Sequence, residues 1–177
     1  AIKNDGKTVD ELFNEQLEKC EVEYFDFYLL HSLNRDIWNT FSSVNAYENL
    51  KEKKLQGKIK HLGFSFHGDM ELFKELLENY EWDFVQLQIN YYDWEADNAK
   101  DFYKLLEDRN IPFTITFGNH DGEAALGNNE QFEIYKESPM FVYSDPVSEN
   151  DKATFCLSIS DKFLVYLFDT HSKAEDG

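Results

Sequence analysis

The stretch "IKHLGFSFH", residues 59–67, is a short run rich in apolar and aromatic residues that ends in a histidine. It lies between two segments with helical spacing, "NAYENLKEKKLQGK" (45–58) and "DMELFKELLENY" (69–80). A strand joined to its neighbours through helices of this length needs right-handed crossovers, which pair strands in parallel. The stretch therefore predicts an α/β protein with a largely parallel sheet.

The same alternation extends in both directions along the chain. Upstream, "TVDELFNEQLEKC" (8–20) predicts a helix that begins with a capping box of Thr8 and Glu11, and "YFDFYLLH" (24–31) predicts a buried strand. A looser segment follows that strand. Downstream, the sequence predicts a strand at 83–92, a helix at 97–110 and a strand at 111–121. The strands are mostly apolar, as expected for a parallel sheet that is covered on both faces.

The pattern changes after Gly122. One helix, broken around Gly127, is followed by three strand-like runs: "MFVYSDPV" (140–147), "ATFCLSIS" (153–160) and "KFLVYLFDTH" (162–171). The turns between these runs are too short for crossover helices, so the strands should be antiparallel to one another. No linker separates the two patterns, so we predict a single compact α/β domain over residues 1–177, with a seam near 110–114.

Composition limits the classes of partner. The chain has 177 residues and a formal net charge of −18. Such a surface repels phosphate backbones and anionic lipids, so we expect neither nucleic-acid nor membrane binding. No apolar stretch approaches the length of about 20 residues that spans a bilayer. No signal peptide is visible, and the chain opens with Ala1, which suggests an excised or truncated piece.

The two cysteines, Cys20 and Cys156, are far apart in the sequence and have no metal-ligand spacing. We interpret both as buried free thiols, which fits a reducing, cytoplasmic location.

Polar residues collect where the predicted strands end, which is where parallel α/β proteins place functional groups. The strand ends carry His31, Ser65 with His67, Gln88 with Asn90, and Asn119 with His120. The alternative is that strand ends are polar because they emerge into water, and this applies best to His67, which precedes a turn-like Gly-Asp pair. His61 lies at the opposite end of its strand and is predicted to be structural.

Residues 8 to about 110 resemble the bacterial aldo-keto reductases, which are (β/α)8 barrels. The matching stretches are "DELFNEQLEKCEVEYFDFYLLHSLN" (10–34), "KLQGKIKHLGFSFHGD" (54–69) and "EWDFVQLQINYYD" (81–93), in the family's order and spacing. The resemblance implies a part of a TIM barrel, from a helix ahead of the fourth strand to beyond the sixth. It also implies an oxidoreductase that uses NADP.

Three residues match the family's active-site positions. The resemblance implies that His31 orients and polarises the substrate carbonyl, and that Ser65 and Gln88 bind the carboxamide of the nicotinamide. The Asn that commonly follows the serine is Phe66 here. The family's Asp, its proton-donating Tyr and its Lys lie on strands earlier than those present, and none of Tyr28, Tyr91 and Tyr92 stands in the donor's place. A carbonyl reduction needs a proton donor as well as a hydride source, so the isolated chain is expected to be inactive.

Residues 111–171 resemble a second family, the calcineurin-like metallophosphoesterases. The similarity rests on "IPFTITFGNHDGE" (111–123), "MFVYSDPVS" (140–148) and "LVYLFDTHS" (164–172). It implies that Asn119 is a ligand of a divalent metal, that His120 donates to the phosphate and leaving group, and that Asp121 holds His120 in position. The sequence has no Asp-x-His before Asn119 and no Gly-His-x-His after it, as the family would have, and one amide oxygen is a poor ligand by itself. The polar segment Asn119–Asp121 is therefore predicted to be a relic that no longer binds metal.

Joined together, the two resemblances describe a chimera or fragment. The longer resemblance implies an aldo-keto reductase by parentage; the alternatives are a metal-dependent phosphoesterase and a catalytically inert, chimeric or designed α/β scaffold that binds no cofactor. Part of a barrel leaves open sheet edges, so we also predict self-association.

Overall fold

The computed structural model describes residues 6–89, 99–118, 121, 125–146, 154–160 and 163–168. The chain divides into two compact units, Ala1–Gln88 and Ile89–Gly177. The prediction of one domain with a seam near 110–114 stays a prediction. The elements are α1 Val9–Cys20, β1 Phe25–Leu33, α2 Arg35–Ser43, α3 Ala46–Leu55, β2 Ile59–Phe66, α4 Met70–Asn79, β3 Phe84–Leu87, α5 Ala99–Asp108, α6 Asn128–Tyr135, β4 Phe155–Ser160 and β5 Phe163–Leu167.

The first helix begins as its sequence predicts. The Thr8 hydroxyl accepts a hydrogen bond from the Glu11 amide at 3.2 Å, and the Glu11 carboxylate accepts one from the Thr8 amide at 2.8 Å. This reciprocal pair satisfies two of the amide groups that every helix leaves unpaired at its first turn. The predicted capping box is therefore confirmed.

The first unit contains a parallel sheet in the order β1-β2-β3. The registers pair Phe27 with His61 and Leu30 with Phe64 between the first two strands, and Ser65 with Gln86 between the last two. Helices connect the strands, as the alternation of patterns predicts. The predicted α/β class is confirmed, with βα units and a C-terminal antiparallel hairpin; the described strands do not form a closed barrel. The looser segment after β1 is in fact helical, because Asn34 caps α2 by accepting the Ile37 amide at 3.0 Å.

The two faces of this sheet differ in what covers them. On one face, Phe64 and Phe66 are buried, and both rings contact Phe73 of α4. The opposite face carries the residues that alternate with them, Gly63 and Ser65. We call this the inner face, because the corresponding face of a closed barrel lies inside it.

The inner face is tightly packed at Gly63. A Cβ atom there would lie 2.5 Å from the carbonyl oxygen of Phe84 and 2.6 Å from its ring. The Phe84 ring itself packs edge-to-face on the Phe27 ring, with 5.3 Å between the ring centroids. Glycine is therefore required at this position by close approach of the neighbouring strand, since its backbone φ is not in the left-handed region.

Two of the strands predicted for the second unit are not formed. Residues 111–117 form only an isolated parallel bridge between Phe113 and Phe141, and 142–146 form no strand. The apolar alternation that suggested a strand is satisfied instead by side-chain packing. Phe113 and Ile115 pack against a buried cluster, whose members are Phe117, Phe132, Phe141, Phe155, Leu157 and Leu167. Alternation reports which side chains turn inward, and it does not require a neighbouring strand.

The rest of the second unit follows the sequence. Strands β4 and β5 pair antiparallel, as the short turn between them predicts. Of the helix predicted on both sides of Gly127, the part after it is present as helix α6, whereas residues 125–127 are not helical. Helix α5 occupies the predicted segment as well.

The cysteines are both free, as predicted, but their burial differs from the prediction. Cys20 is exposed and Cys156 is half-buried. Cys20 is the last residue of α1, and among that helix's residues only Phe13 is buried, so the apolar face does not reach the C-terminal turn. The cytoplasmic location stays a prediction. Within the described ranges no helix is both long and apolar enough to cross a membrane.

Candidate functional site

The parallel sheet of the first unit brings three predicted site residues to one edge. His31 lies near the end of β1, Ser65 lies near the end of β2, and Gln88 directly follows β3. Because the strands are parallel and adjacent, their C-terminal ends meet at the same edge, with neighbouring strands about 4.8 Å apart. Two of the three side chains, those of His31 and Gln88, are exposed, and Ser65 is buried at 6% exposure.

The strand that carries His31 contains a β-bulge at this edge. Leu30 pairs with Phe64 and Leu33 pairs with Phe66, so two residues of β1 oppose the single residue Ser65 of β2. The extra residue lets Leu30 and Leu33 both lie on the helix-covered face, where both are buried. It leaves His31 and its neighbour opposite Ser65. Bulges of this kind redirect side chains and are frequent next to active sites.

A residue that the sequence reasoning passed over is Gln86. It is the register partner of Ser65 in the ladder between β2 and β3, and its side chain is exposed. Directly paired residues place their side chains on the same face of a sheet. Gln86 therefore lies beside Ser65 on the inner face, whereas Gln88 lies beyond the end of the strand. The alternating polar pattern of "QLQ" contains the signal, but choosing between its two glutamines needs the register.

Several other polar residues at this edge have structural roles. Asn34 caps α2, and Asp69 caps α4 by accepting the Leu72 amide at 2.8 Å. Arg35 of α2 donates to Glu75 of α4 at 2.6 Å, which raises the pKa of the Arg35 guanidinium mainly through this hydrogen bond. These three residues therefore begin helices or connect them.

The two remaining histidines of this unit differ in their surroundings. His67 is exposed, and its backbone amide donates to the Leu33 carbonyl at 2.9 Å, which extends the contact between β1 and β2 into the loop. The next residue, Gly68, approaches so closely that a Cβ atom there would lie 3.2 Å from Cα of Asn34. The His61 ring stacks on the Phe27 ring, with 4.8 Å between the ring centroids, which agrees with the structural role predicted for His61.

Two observations bear on the departures from the reductase pattern. Tyr28 donates its hydroxyl to Gln16 of α1 at 2.6 Å and packs on Phe13, so it lies in the helix layer rather than on the inner face. Burial raises the pKa of Tyr28. Phe66, in the position of the commonly found Asn, is buried against α4 and offers no polar group. Tyr91, Tyr92 and Asn90 lie outside the described residues.

The metal-binding prediction concerns the segment around Asp121. Asn119 and His120 lie outside the described residues. The residues next to them are described: the Asp121 carboxylate accepts a hydrogen bond from the Gly118 amide at 2.7 Å, and the Asp121 carbonyl accepts one from the side-chain amide of Gln131 at 2.9 Å. Over the part of the chain that the structure describes, no group of three or more His, Cys, Asp or Glu residues could hold a metal ion.

Comparison with known proteins tests the two resemblances. A search of curated proteins found no significant match. The model of the Aldo/keto reductase family matches residues 3–133, well over half of the chain. The match continues past residue 111, where the sequence predicted a seam, and the phosphoesterase segment and the chimera receive no support. The matched range includes the bulged strand of His31, the buried Ser65, Gln86 of β3 and Gln88, which follows that strand. This chain therefore belongs to the aldo/keto reductase family.

Proposed function

We propose that the first unit binds the nicotinamide end of NADP(H) at the ends of its three parallel strands. Ser65 and a glutamine of β3 or its C-terminal end contact the carboxamide, and His31 orients a carbonyl group beside it. The proposal is carried by one observation, the parallel register that brings these side chains to a single edge. Family membership supports it, because aldo/keto reductases are NAD(P)-dependent oxidoreductases.

The residues present suit a carboxamide chemically. A primary amide offers one acceptor oxygen and two N–H donors. A serine hydroxyl can donate to the oxygen, and a glutamine side chain can both donate and accept. The reduced nicotinamide of NADPH would supply the hydride when bound, while the protein binds and orients the two reactants. The net charge of −18 opposes binding of the anionic dinucleotide, so we expect weak affinity that depends on salt.

The proposal also includes the expectation that this chain does not catalyse reduction of a carbonyl. Reduction of a carbonyl needs a proton donor at the developing alkoxide. No residue of this chain matches the family's Asp, Tyr and Lys. The Tyr28 hydroxyl donates a hydrogen bond to Gln16 of α1, away from the inner face. We expect the 177-residue chain to bind cofactor without reducing a carbonyl.

The test is a titration of NADPH followed by its fluorescence. We expect the signal to change on binding. Ser65→Ala, Gln86→Ala and Gln88→Ala each remove one candidate contact, and loss of one hydrogen bond of about 1 kcal/mol weakens binding roughly fivefold. Comparing Gln86→Ala with Gln88→Ala decides which glutamine makes the contact. Gln56→Ala, at the end of α3, is the matched control. No fluorescence change at any NADPH concentration would refute the proposal, and NADPH oxidation with a carbonyl substrate would refute the expected inactivity.

The phosphoesterase alternative has its own test. It requires Asn119 and His120 to act with a bound divalent metal, and His120→Ala should then abolish hydrolysis of an aryl phosphate. On the reductase proposal, adding Mn²⁺ to metal-free protein leaves the melting temperature unchanged and no hydrolysis occurs. A rise in melting temperature together with His120-dependent hydrolysis would favour the alternative. If neither NADPH nor Mn²⁺ binds, the third candidate, an inert scaffold, stands.

We also propose self-association through the sheet edges. In the described part of the parallel sheet, β1 and β3 each pair with β2 alone. An edge strand offers backbone groups to another chain. Sedimentation equilibrium should show a species larger than the 20.9 kDa monomer at high protein concentration. A single monomeric species at every concentration would contradict this.

A further inference from the structure

The bulge in β1 creates two local problems that a regular strand would not have. Ser32 has a φ of +58°, a left-handed conformation that residues with a Cβ atom adopt rarely and at a cost. The bulge also leaves a residue outside the regular ladder, because His31 and Ser32 together face only one residue of β2. A bulged amide must therefore find another acceptor or stay unpaired.

The side chain of Ser65 supplies the acceptor that the bulged amide needs. The Ser32 amide donates to the Ser65 hydroxyl oxygen at 2.7 Å, across 33 positions of sequence. Ser65 is the one buried polar residue among the described parts of the chain, at 6% exposure. The hydrogen bond is short, with a buried acceptor residue and a half-buried donor residue. Its donor immediately follows His31, so the bond restrains the backbone that carries the imidazole.

We propose that Ser65 is a positioning residue for His31: its hydroxyl oxygen holds the left-handed bulge at Ser32 and thereby sets the direction of the His31 side chain. The role of His31 itself rests on the proposed function. A hydroxyl has one donor and two acceptor sites, and the bond from Ser32 uses one acceptor site. The Ser65 O–H group stays available to the carboxamide. One side chain then connects the bound cofactor to the residue that orients the carbonyl.

The first measurement uses the unmodified, cofactor-free chain. The amide hydrogen of Ser32 should exchange with solvent at least about tenfold more slowly than in an unstructured peptide, because a buried oxygen accepts it. Exchange at the unstructured rate would overturn the proposal. This measurement needs no variant, so a substitution that fails to fold cannot leave the proposal undecided.

The second measurement separates positioning from a purely structural role. In Ser65→Ala the acceptor is lost, and the NMR signals of the Ser32 amide and the His31 ring should both move. Ser65→Thr keeps the hydroxyl and should restore both signals. His61, at the far end of the strand pair, is the internal reference and should not move. A folded Ser65→Ala protein with unchanged Ser32 and His31 signals would overturn the proposal, as would Ser65→Thr behaving like Ser65→Ala.

A third variant tests the strain directly. Ser32→Gly removes the Cβ atom that makes a positive φ costly. If the hydroxyl holds a strained bulge, Ser65→Ala should displace the His31 signal less in the Ser32→Gly background than alone. Equal displacement in both backgrounds would contradict the holding role. All these readouts are made without cofactor, so a failed NADPH titration with an intact bulge would refute the proposed function alone.

Discussion

The most specific prediction concerns Gly63→Ala at the centre of the parallel sheet. The added methyl group would lie 2.5 Å from the Phe84 carbonyl oxygen and 2.6 Å from two atoms of its ring. The ring can rotate only against Phe27, with which it is in contact. The carbonyl is part of the neighbouring strand, so relieving that clash requires the two strands to separate.

The magnitude follows from these two clashes. Adding atoms to a well-packed interior costs about 1–3 kcal/mol. One of the clashing atoms is backbone, so we expect the upper end of that range, about 3 kcal/mol. With a urea dependence of about 1.5 kcal/mol per M, the unfolding midpoint should fall by about 2 M.

The assay is urea unfolding of the full chain, followed by tryptophan fluorescence. Trp82 packs on Phe64 at 4.9 Å, next to the substituted position, so its emission reports on this unit. Gly57→Ala is the matched control. Gly57 has a φ of +74° with nothing within 4 Å of the added atom, so its cost comes from backbone strain alone, about 1–2 kcal/mol.

A double substitution separates the two clashes. Phe84→Ala removes the ring contact and leaves the carbonyl clash, so it should recover only part of the cost of Gly63→Ala. If Gly63→Ala cost no more than Gly57→Ala, the close approach of β3 to β2 would not be as described. Full recovery in the double variant would show that the carbonyl contributes nothing.

Three further predictions concern helix and strand contacts. Thr8→Ala should cost about 1 kcal/mol in urea unfolding because it removes the cap of α1. The hydrogen bond from the backbone amide of residue 8 contributes most to lowering the pKa of Glu11 and is kept in Thr8→Ala, whereas the bond from the Thr8 hydroxyl is lost. The stability linked to Glu11 is present above pH 4.5 and is lost as the pH falls through the lowered pKa, so the variant should keep the larger part of this acid dependence and lose only the hydroxyl's part; its complete loss in the variant would contradict this. Asp83→Ala should cost about 2 kcal/mol, because its carboxylate accepts the Leu62 amide at 2.7 Å, and Asp83→Asn less, since it keeps an acceptor; equal costs would refute the hydrogen bond. Tyr28→Phe should cost about 1 kcal/mol at neutral pH. Burial raises the pKa of Tyr28, so the unmodified chain should lose stability as the pH rises above 10 through the raised value, and a variant with the same alkaline loss would contradict this.

The candidate site was only partly readable from sequence. Apolar runs show where strands end, so they place His31 and Ser65 at strand ends, and the resemblance to the reductases implies the roles of these two residues. The choice between Gln86 and Gln88 did not follow, because it depends on which β3 residue pairs with Ser65. The strand predicted at 111–121 was wrong over residues 111–117 for a related reason. Its alternation is real, but pairing depends on a partner strand that local sequence does not specify.

The sequence by itself determined the features that are decided within a few residues. This class includes the capping box at Thr8, the parallel direction of the strands that are joined by helical crossovers, and the hairpin of β4 and β5. Each of these depends on neighbouring side chains or on loop length. Only the tertiary structure decided the bulge at His31, the need for glycine at position 63 and the bond from Ser32 to Ser65. Each of these joins residues from different strands. Their geometry is set by strand register and by side chains that meet only after the sheet has formed.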